Sequence, residues 1–443
     1  MSAAPAMANI VSWGRYPRGL PRQVVAARFR DMDIADLPMP LLCYGNGRSY
    51  GDSCLNLGGC MIKTRGLDRF IDFDPISGRL RCEAGVLLSE ILDLVVASGW
   101  FLPVTPGTRF VTVGGAIAND VHGKNHHLNG TLGHHVLALE LIRSDGTRKT
   151  CSPEQNPALF AATIGGLGLT GLIGTAELQL RRIGNPYISV ETTRFRDLAE
   201  FFAISRDSDR HHEYTVAWID CAATGKRLGR GLHMAGNHAG RGCLDRPKAP
   251  ANWLQVPLDP PVSLVGSGSL RAFNALYYRK QLARRKVAIS HYQPFFYPLD
   301  GIRDWNRIYG PRGFLQYQSV VPMHLGMEAT REMLGRIAAS GQGSFLSVLK
   351  LFGDKPPAGM LSFPRPGVTL ALDFPNCGPR TFALLDELDR VVADAQGALY
   401  PAKDARMPGS LFAAGYPRLN EFKRHIDPAF SSSFWRRING AAL

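Results

Sequence analysis

Three glycine-rich stretches between Gly45 and Gly171 constrain this chain more than any other feature. The first is Gly45-Asn46-Gly47-Arg48-Ser49-Tyr50-Gly51-Asp52. The second is Pro106-Gly107-Thr108 followed by Thr112-Val113-Gly114-Gly115-Ala116-Ile117-Ala118-Asn119-Asp120-Val121-His122-Gly123-Lys124, and the third is Gly165-Gly166-Leu167-Gly168-Leu169-Thr170-Gly171. Glycine lets the backbone take positive φ and approach a ligand closely, and consecutive N–H groups can then cradle phosphate oxygens. The first stretch is not the G-x-G-x-x-G of a Rossmann fold, because its third glycine comes one residue late. Nor is it a P-loop, since no G-K-[S/T] follows. Alone it reads as a structural turn. Three glycine-rich loops, each beside apolar strand-like runs, suit one long anionic ligand held at several points, and a dinucleotide fits that better than a mononucleotide.

At 443 residues the chain is long enough for two or three domains with a full core. Its formal net charge of +14 suits an anionic partner: nucleic acid, a phosphorylated substrate or an anionic membrane surface. No nucleic-acid-binding module or aromatic-interleaved basic stripe is present, so a nucleic-acid partner is not expected. The eight cysteines are scattered without a C-x-x-C pair, as in a cytosolic protein with reduced thiols. The N-terminal run lacks the pattern of a secretory signal, and the apolar stretch Val86 to Val104 is broken by Glu90 and Asp93. His122, His126 and His127 lie close together, but no carboxylate partner or H-E-x-x-H pattern makes them a metal site.

Leu88, Ile91, Leu92 and Val95 follow helical spacing, with Gly99 as C-cap; Asn156-Pro157 can cap and start a second helix through Phe160. Leu137 to Ile142 reads as a strand ending in the turn Ser144-Asp145-Gly146, and Ala176, Leu178 and Leu180 alternate as in a half-buried strand. Between about 236 and 290 glycine, proline and arginine dominate, which predicts long mobile loops and a short basic helix at Arg279 to Lys286. Strands around Phe314 to Val321 and Phe345 to Phe352 precede a helix at Phe382 to Ala395. Without a strict βαβ rhythm, the class is α+β.

The motifs GNGRSYGD (45–52), PGTRFVTVGGAIANDVHGKNHH (106–127), ATIGGLGLTGLIG (162–174), FFYPLDGIRDWNRIYGPRGFLQYQSVVP (295–322), LKLFG (349–353), LDFP (372–375) and LYPAKDAR (399–406) cover nearly the whole chain. In their order and spacing the sequence resembles the vanillyl-alcohol-oxidase (PCMH-type) FAD-binding oxidoreductases. More narrowly it resembles the decaprenylphosphoryl-β-D-ribose 2′-oxidase family, the flavin half of an arabinose-forming epimerase. The resemblance implies a two-domain fold: residues 1–184 bind FAD, residues 185–397 form a substrate (cap) domain on an antiparallel sheet, and residues 398–443 return to the FAD domain.

It also implies roles. FAD would be held by Gly45, Asn46, Gly47, Arg48, Ser49, Tyr50, Gly51, Gly107, Thr112, Val113, Gly114, Gly115, Asn119, His122, Ile173 and Tyr400. Arg48 stands where related sugar oxidases tether flavin through a histidine, so the cofactor is expected to be non-covalent. Oxidation of a secondary alcohol needs the carbinol C–H aimed at the flavin and a group to take the hydroxyl proton. Lys403 is the implied candidate, with Tyr50 a second and His122 a flavin or substrate contact. Substrate would be held by Trp218, Tyr297, Gln316, Gln318 and Lys350. Ala371 and Thr369 stand where the mycobacterial enzymes carry cysteine and asparagine, which affects pocket shape. Read singly, Trp218 and Tyr297 are core aromatics. The implied partners are a lipid-linked sugar phosphate, an NAD(P)H-dependent short-chain reductase and a peripheral membrane contact near the basic run 279–286. The rival flavin reading is an oxidase of a free sugar, alditol or aldonolactone.

Overall fold

The computed structural model describes residues 10–240, 242–243 and 254–440. Its strands form three principal sheets. Gln23–Ala26, Cys60–Lys63 and Leu41–Tyr44 lie in that order as a parallel set. Phe70–Asp74, Arg79–Glu83, Leu172–Gln179, Val136–Ile142 and Arg148–Cys151 make an antiparallel sheet of five. The third sheet has eight antiparallel strands: Arg285–His291, Tyr187–Phe195, Gly231–His238, Tyr214–Ile219, Ser347–Phe352, Gly367–Pro375, Phe314–Val321 and Ala398–Leu399. Helices and mixed sheets without regular βαβ units make this an α+β fold.

Side-chain alternation gives the large sheet two different faces. Leu315, Tyr317, Leu349, Leu351, Leu370 and Leu372 are buried in one apolar cluster with Leu334 of the helix Gly326–Ser340 and Leu388 of the helix Pro379–Asp394. The alternate positions carry Gln316, Gln318, Val348, Lys350 and Ala371 on the other face. Pairing sets Gln316 opposite Asp373, Gln318 opposite Ala371 and Lys350 opposite Thr369. A polar row is thus held on a rigid sheet.

Several expectations need correction. The run after Thr112 is a helix, Val113–Ala118, because the Thr112 hydroxyl accepts the Gly115 N–H at 3.1 Å and caps it. Leu88–Val95 buries its predicted side chains, but the turn Val96–Ser98 intervenes before Gly99, whose φ of +79° ends that turn. Pro157 does open the helix Pro157–Thr163. Asn156 does not cap it with its side chain, which donates instead to the Thr150 carbonyl at 2.8 Å.

The basic run 279–286 is not a helix. Ser267–Arg279 is helical, the chain turns, and Arg285–His291 becomes the outer strand of the large sheet against Tyr187–Phe195. β-branched Val287 and Ile289, together with pairing to a long neighbour, outweigh the local charge density. Part of the expected loop region, residues 241 and 244–253, lies outside the described residues. No helix among the described residues is long and apolar enough to cross a membrane.

Candidate active site

The glycine-rich loops and the polar face of the large sheet enclose one cavity of about 790 Å³, within the usual range of about 300–1,000 Å³ for ligand pockets. On the loop side it is lined by Gly45, Asn46, Gly47, Arg48, Ser49, Tyr50, Gly107, Thr112, Gly114, Gly115, Asn119, His122, Ile173 and Tyr400. The first loop is tied to the second by the Asn46 amide, which donates to the Phe110 carbonyl at 2.7 Å. Gly47 takes φ +62°, a conformation side chains resist. The Tyr400 hydroxyl donates to the Asn119 carbonyl at 2.8 Å, bringing the C-terminal segment onto the same wall.

The sheet contributes Gln316, Gln318, Val348, Lys350 and Ala371, and the turn after Ala398–Leu399 contributes Lys403. His122 is the meeting point. Its Nδ1 lies 3.0 Å from Lys350 Nζ and its Nε2 3.0 Å from the Gln318 amide nitrogen, while Lys350 also donates to the Gly123 carbonyl at 2.6 Å. Burial, then the neighbouring lysine, pushes the His122 pKa far below its ordinary value, so the ring is neutral. A neutral imidazole carries one proton, so the protonation of Lys350 and the orientation of the Gln318 amide are linked through it.

Burial lowers three amines lining the cavity: Lys350 to about 7, Lys403 to about 8 and Lys124 to about 8. Lys350 is further lowered by the charge of Lys124. Asp373 acts the other way on Lys403, and burial raises its own pKa to about 7. Gln316 donates to Asp373 Oδ1 at 2.6 Å. Lys403 Nζ sits 3.8 Å from the centre of the Tyr50 ring, a cation–π contact when protonated. The Tyr50 phenol is itself pushed well up by burial and by Asp373, which favours it as a proton donor over a phenolate.

Four expected contacts lie elsewhere. Val113 is fully buried in the core, and Gly51 packs against the Asp404 backbone, where a Cβ would overlap the carbonyl. Trp218 donates its indole N–H to the Phe345 carbonyl at 2.9 Å and packs on Tyr277. Tyr297 is buried behind the wall, its hydroxyl 2.7 Å from that of Thr105, which does line the cavity. Lys124 and Asp373 were missed. Lys124 lies in the second glycine-rich stretch, where nothing local sets it apart from a solvated loop lysine, whereas a lone acid inside the apolar run Thr369-Leu-Ala-Leu-Asp373-Phe is a readable sign of a buried charge.

The loop side suits a long anionic group. Arg48 and Arg109 both line the cavity, and the buried Nε of each has no hydrogen-bond partner. Gly107 has open space where a Cβ would stand, so any side chain would intrude. A pyrophosphate would satisfy the arginines, and glycines leave it room.

Comparison with known proteins agrees. Residues 32–152 match the family model described as an FAD binding domain. The chain is 37% identical over 413 residues to decaprenylphosphoryl-beta-D-ribose oxidase from Mycolicibacterium smegmatis, covering 90% of this chain and 89% of that one. A Streptomyces coelicolor protein described as uncharacterized is 35% identical over 372 residues, 80% of this chain and all of its own length (100%). Mouse L-gulonolactone oxidase is 34% identical over 138 residues, 30% of each chain. Fold, site and family model together define an FAD-dependent oxidoreductase acting on a CH–OH group. Within that class, the chain belongs to the decaprenylphosphoryl-β-D-ribose oxidase family.

Proposed function

We propose that the protein oxidises the C2 hydroxyl of a polyprenylphosphoryl-β-D-ribose to the 2-keto sugar, the first half of an epimerisation to the arabinose form. One observation carries the reading: three partly neutralised amines, Lys124, Lys350 and Lys403, share a cavity with the FAD-binding loops. A phosphate held by Lys124 and Lys350 favours their ammonium forms and gains charge-assisted hydrogen bonds, which leaves Lys403 to act as the free amine. A free alditol or lactone has no comparable use for them.

Bound FAD supplies the two-electron acceptor for the C2 hydride. The chain's part is geometry and proton handling. Gln316 and Gln318 hold sugar hydroxyls from the sheet, and neutral His122 keeps Gln318 and Lys350 in register. Lys403, as free amine, takes the hydroxyl proton while Tyr50 supports it. The sum is loss of one hydride and one proton from the alcohol, leaving a ketone. An NAD(P)H-dependent short-chain reductase then reduces the ketone from the opposite face.

FAD is held non-covalently, because Arg48 offers no tethering nucleophile. The two smaller sheets, built from residues 23–151 and 172–179, support an FAD domain over 1–184, and the eight-stranded sheet supports a cap over 185–397. Residues 398–443 return to the FAD domain after Ala398–Leu399 adds the last strand to the large sheet.

The test is anaerobic rapid mixing of yellow holoenzyme with either polyprenylphosphoryl ribose or a free aldonolactone. Bleaching by the lipid phosphate alone is expected; bleaching by the lactone alone rejects the reading.

A further inference from the structure

The histidine-rich run from His122 to His127 is stitched to the large sheet along its whole length. Lys350 meets His122 and donates to the Gly123 carbonyl. The Thr215 N–H donates to the Lys124 carbonyl at 2.9 Å, and the Gly353 N–H donates to His126 Nδ1 at 3.2 Å. His127 Nε2 donates to the His212 carbonyl at 2.9 Å, just before the strand Tyr214–Ile219. Thr215 lies on that strand, and Gly353 directly follows the strand Ser347–Phe352, its neighbour in the sheet. One short loop beside the glycine-rich stretches thus sets the position of two adjacent strands.

His126 stands where this bears on Lys350. It is buried, and its ring packs on Phe352 with centroids 4.4 Å apart. The same Phe352 ring meets His122 at 4.9 Å and Lys350 Nζ at 4.8 Å. Residues two apart share one side of a strand, so Phe352 spaces His126 from the Lys350 amine. Gly353 comes this close only because it has no Cβ, which would stand 2.6 Å from His127 Cα. Burial, then the charge of Lys350, pushes the His126 pKa down to about 3. The ring is therefore neutral, and Nδ1 stays free to accept the Gly353 N–H.

We propose that His126 is a positioning residue for Lys350: by accepting the Gly353 N–H and filling the space beside Phe352, it fixes the end of the strand that carries the lysine, and with it where the amine meets the substrate phosphate. This role rests on the reading of Lys350 as a phosphate contact and deepens it. A side chain that merely filled the core would need no acceptor, whereas here an apolar replacement leaves a buried backbone N–H unpaired. Side-chain geometry separates the two roles. Asparagine carries its amide oxygen one bond from Cγ, where histidine carries Nδ1. Glutamine carries its oxygen farther out, near the place of Nε2, beyond the Gly353 N–H.

Kinetics of the FAD-loaded enzyme with polyprenylphosphoryl ribose test it. His126→Ala and His126→Gln should raise KM by about tenfold and leave the maximal rate of flavin reduction unchanged, while His126→Asn stays within about twofold of the parent. Gly353→Ala pushes on the same contact from the other side, so it should raise KM as well and add little to His126→Ala. A second readout needs no sugar. Lys350 lines the cavity, and its acetylation by acetic anhydride, followed by mass spectrometry across pH, should have a midpoint of about 7 in the parent. The midpoint should rise in the Ala and Gln variants, because a loosened strand end lets water reach the ammonium, and return in His126→Asn. Should His126→Ala lose its flavin absorbance, the Gln and Asn variants carry the test. Unchanged KM and midpoint in the Gln variant, a fall in maximal rate at constant KM, or an Asn variant as impaired as Gln would each overturn the proposal. If the midpoints behave as expected but ribosyl phosphate does not bleach the parent, the substrate reading falls and the positioning role stands. If ribosyl phosphate bleaches the parent while neither KM nor midpoint responds, only the positioning role falls.

Discussion

A lysine withdrawn from water loses the hydration that stabilises its ammonium, and Lys403 shows how a single neighbour tunes that loss. Burial brings it to about 8, and the negative charge of Asp373 keeps it from falling further. As proton acceptor Lys403 must be neutral, so flavin reduction should rise with pH through about 8. Asp373→Asn removes the charge that supports the ammonium. The Lys403 pKa then drops and the rising limb moves to lower pH, readable in a pH profile of kcat/KM; an unmoved or upward-shifted limb would contradict this coupling. Lys403→Met should cost about 100-fold or more in the rate of flavin reduction, as loss of a proton-transfer group does. Lys350→Met should instead act mainly on KM, by about 10- to 100-fold, the scale of one hydrogen bond to a charged group; titration with the phosphorylated substrate separates the two. Legibility varied at this scale. Gln316, Gln318, Lys350 and Lys403 carried the motifs that matter. Trp218 and Tyr297 were drawn toward the substrate by resemblance, although their size and chemistry already suited a core with one hydrogen-bonded polar atom each.

Among the elements, the clamp between the first glycine loop and the C-terminal segment decides where Lys403 stands. Arg437 donates to both oxygens of buried Asp52, at 2.7 and 2.9 Å, and to Asp404 at 2.9 Å. Asp404 in turn accepts the N–H of Met407 and closes the turn that follows Lys403. Arg437→Ala leaves two buried carboxylates uncompensated and should cost about 3–5 kcal/mol of stability, measured by denaturant unfolding. A loss below about 1 kcal/mol would show that water replaces the arginine. Strands such as Phe314–Val321 and the helix carrying Leu384, Leu388 and Val392 were legible because periodicity is local. The outer strand Arg285–His291 and the pairing of Asp373 with Gln316 were not, since both depend on which strand lies alongside, and pairing across scores of residues leaves no local signature, although the apolar run around Asp373 does mark its charge as buried.

At the level of the whole molecule, the three glycine-rich stretches are far apart in sequence and close in space, and the cavity they share with the sheet is what unites cofactor and substrate chemistry. Acid precipitation should release FAD into the supernatant, because Arg48 cannot tether it; flavin pelleting with the protein would contradict a non-covalent site. The central claim is that this cavity delivers the C2 hydrogen of a ribosyl lipid phosphate to the flavin. It is tested most directly by single-turnover flavin reduction with substrate deuterated at one ring carbon at a time. Deuterium at C2 should slow the bleaching severalfold while deuterium at C1 or C3 leaves it unchanged. A rate sensitive to C1 deuterium and indifferent to C2 would contradict the account.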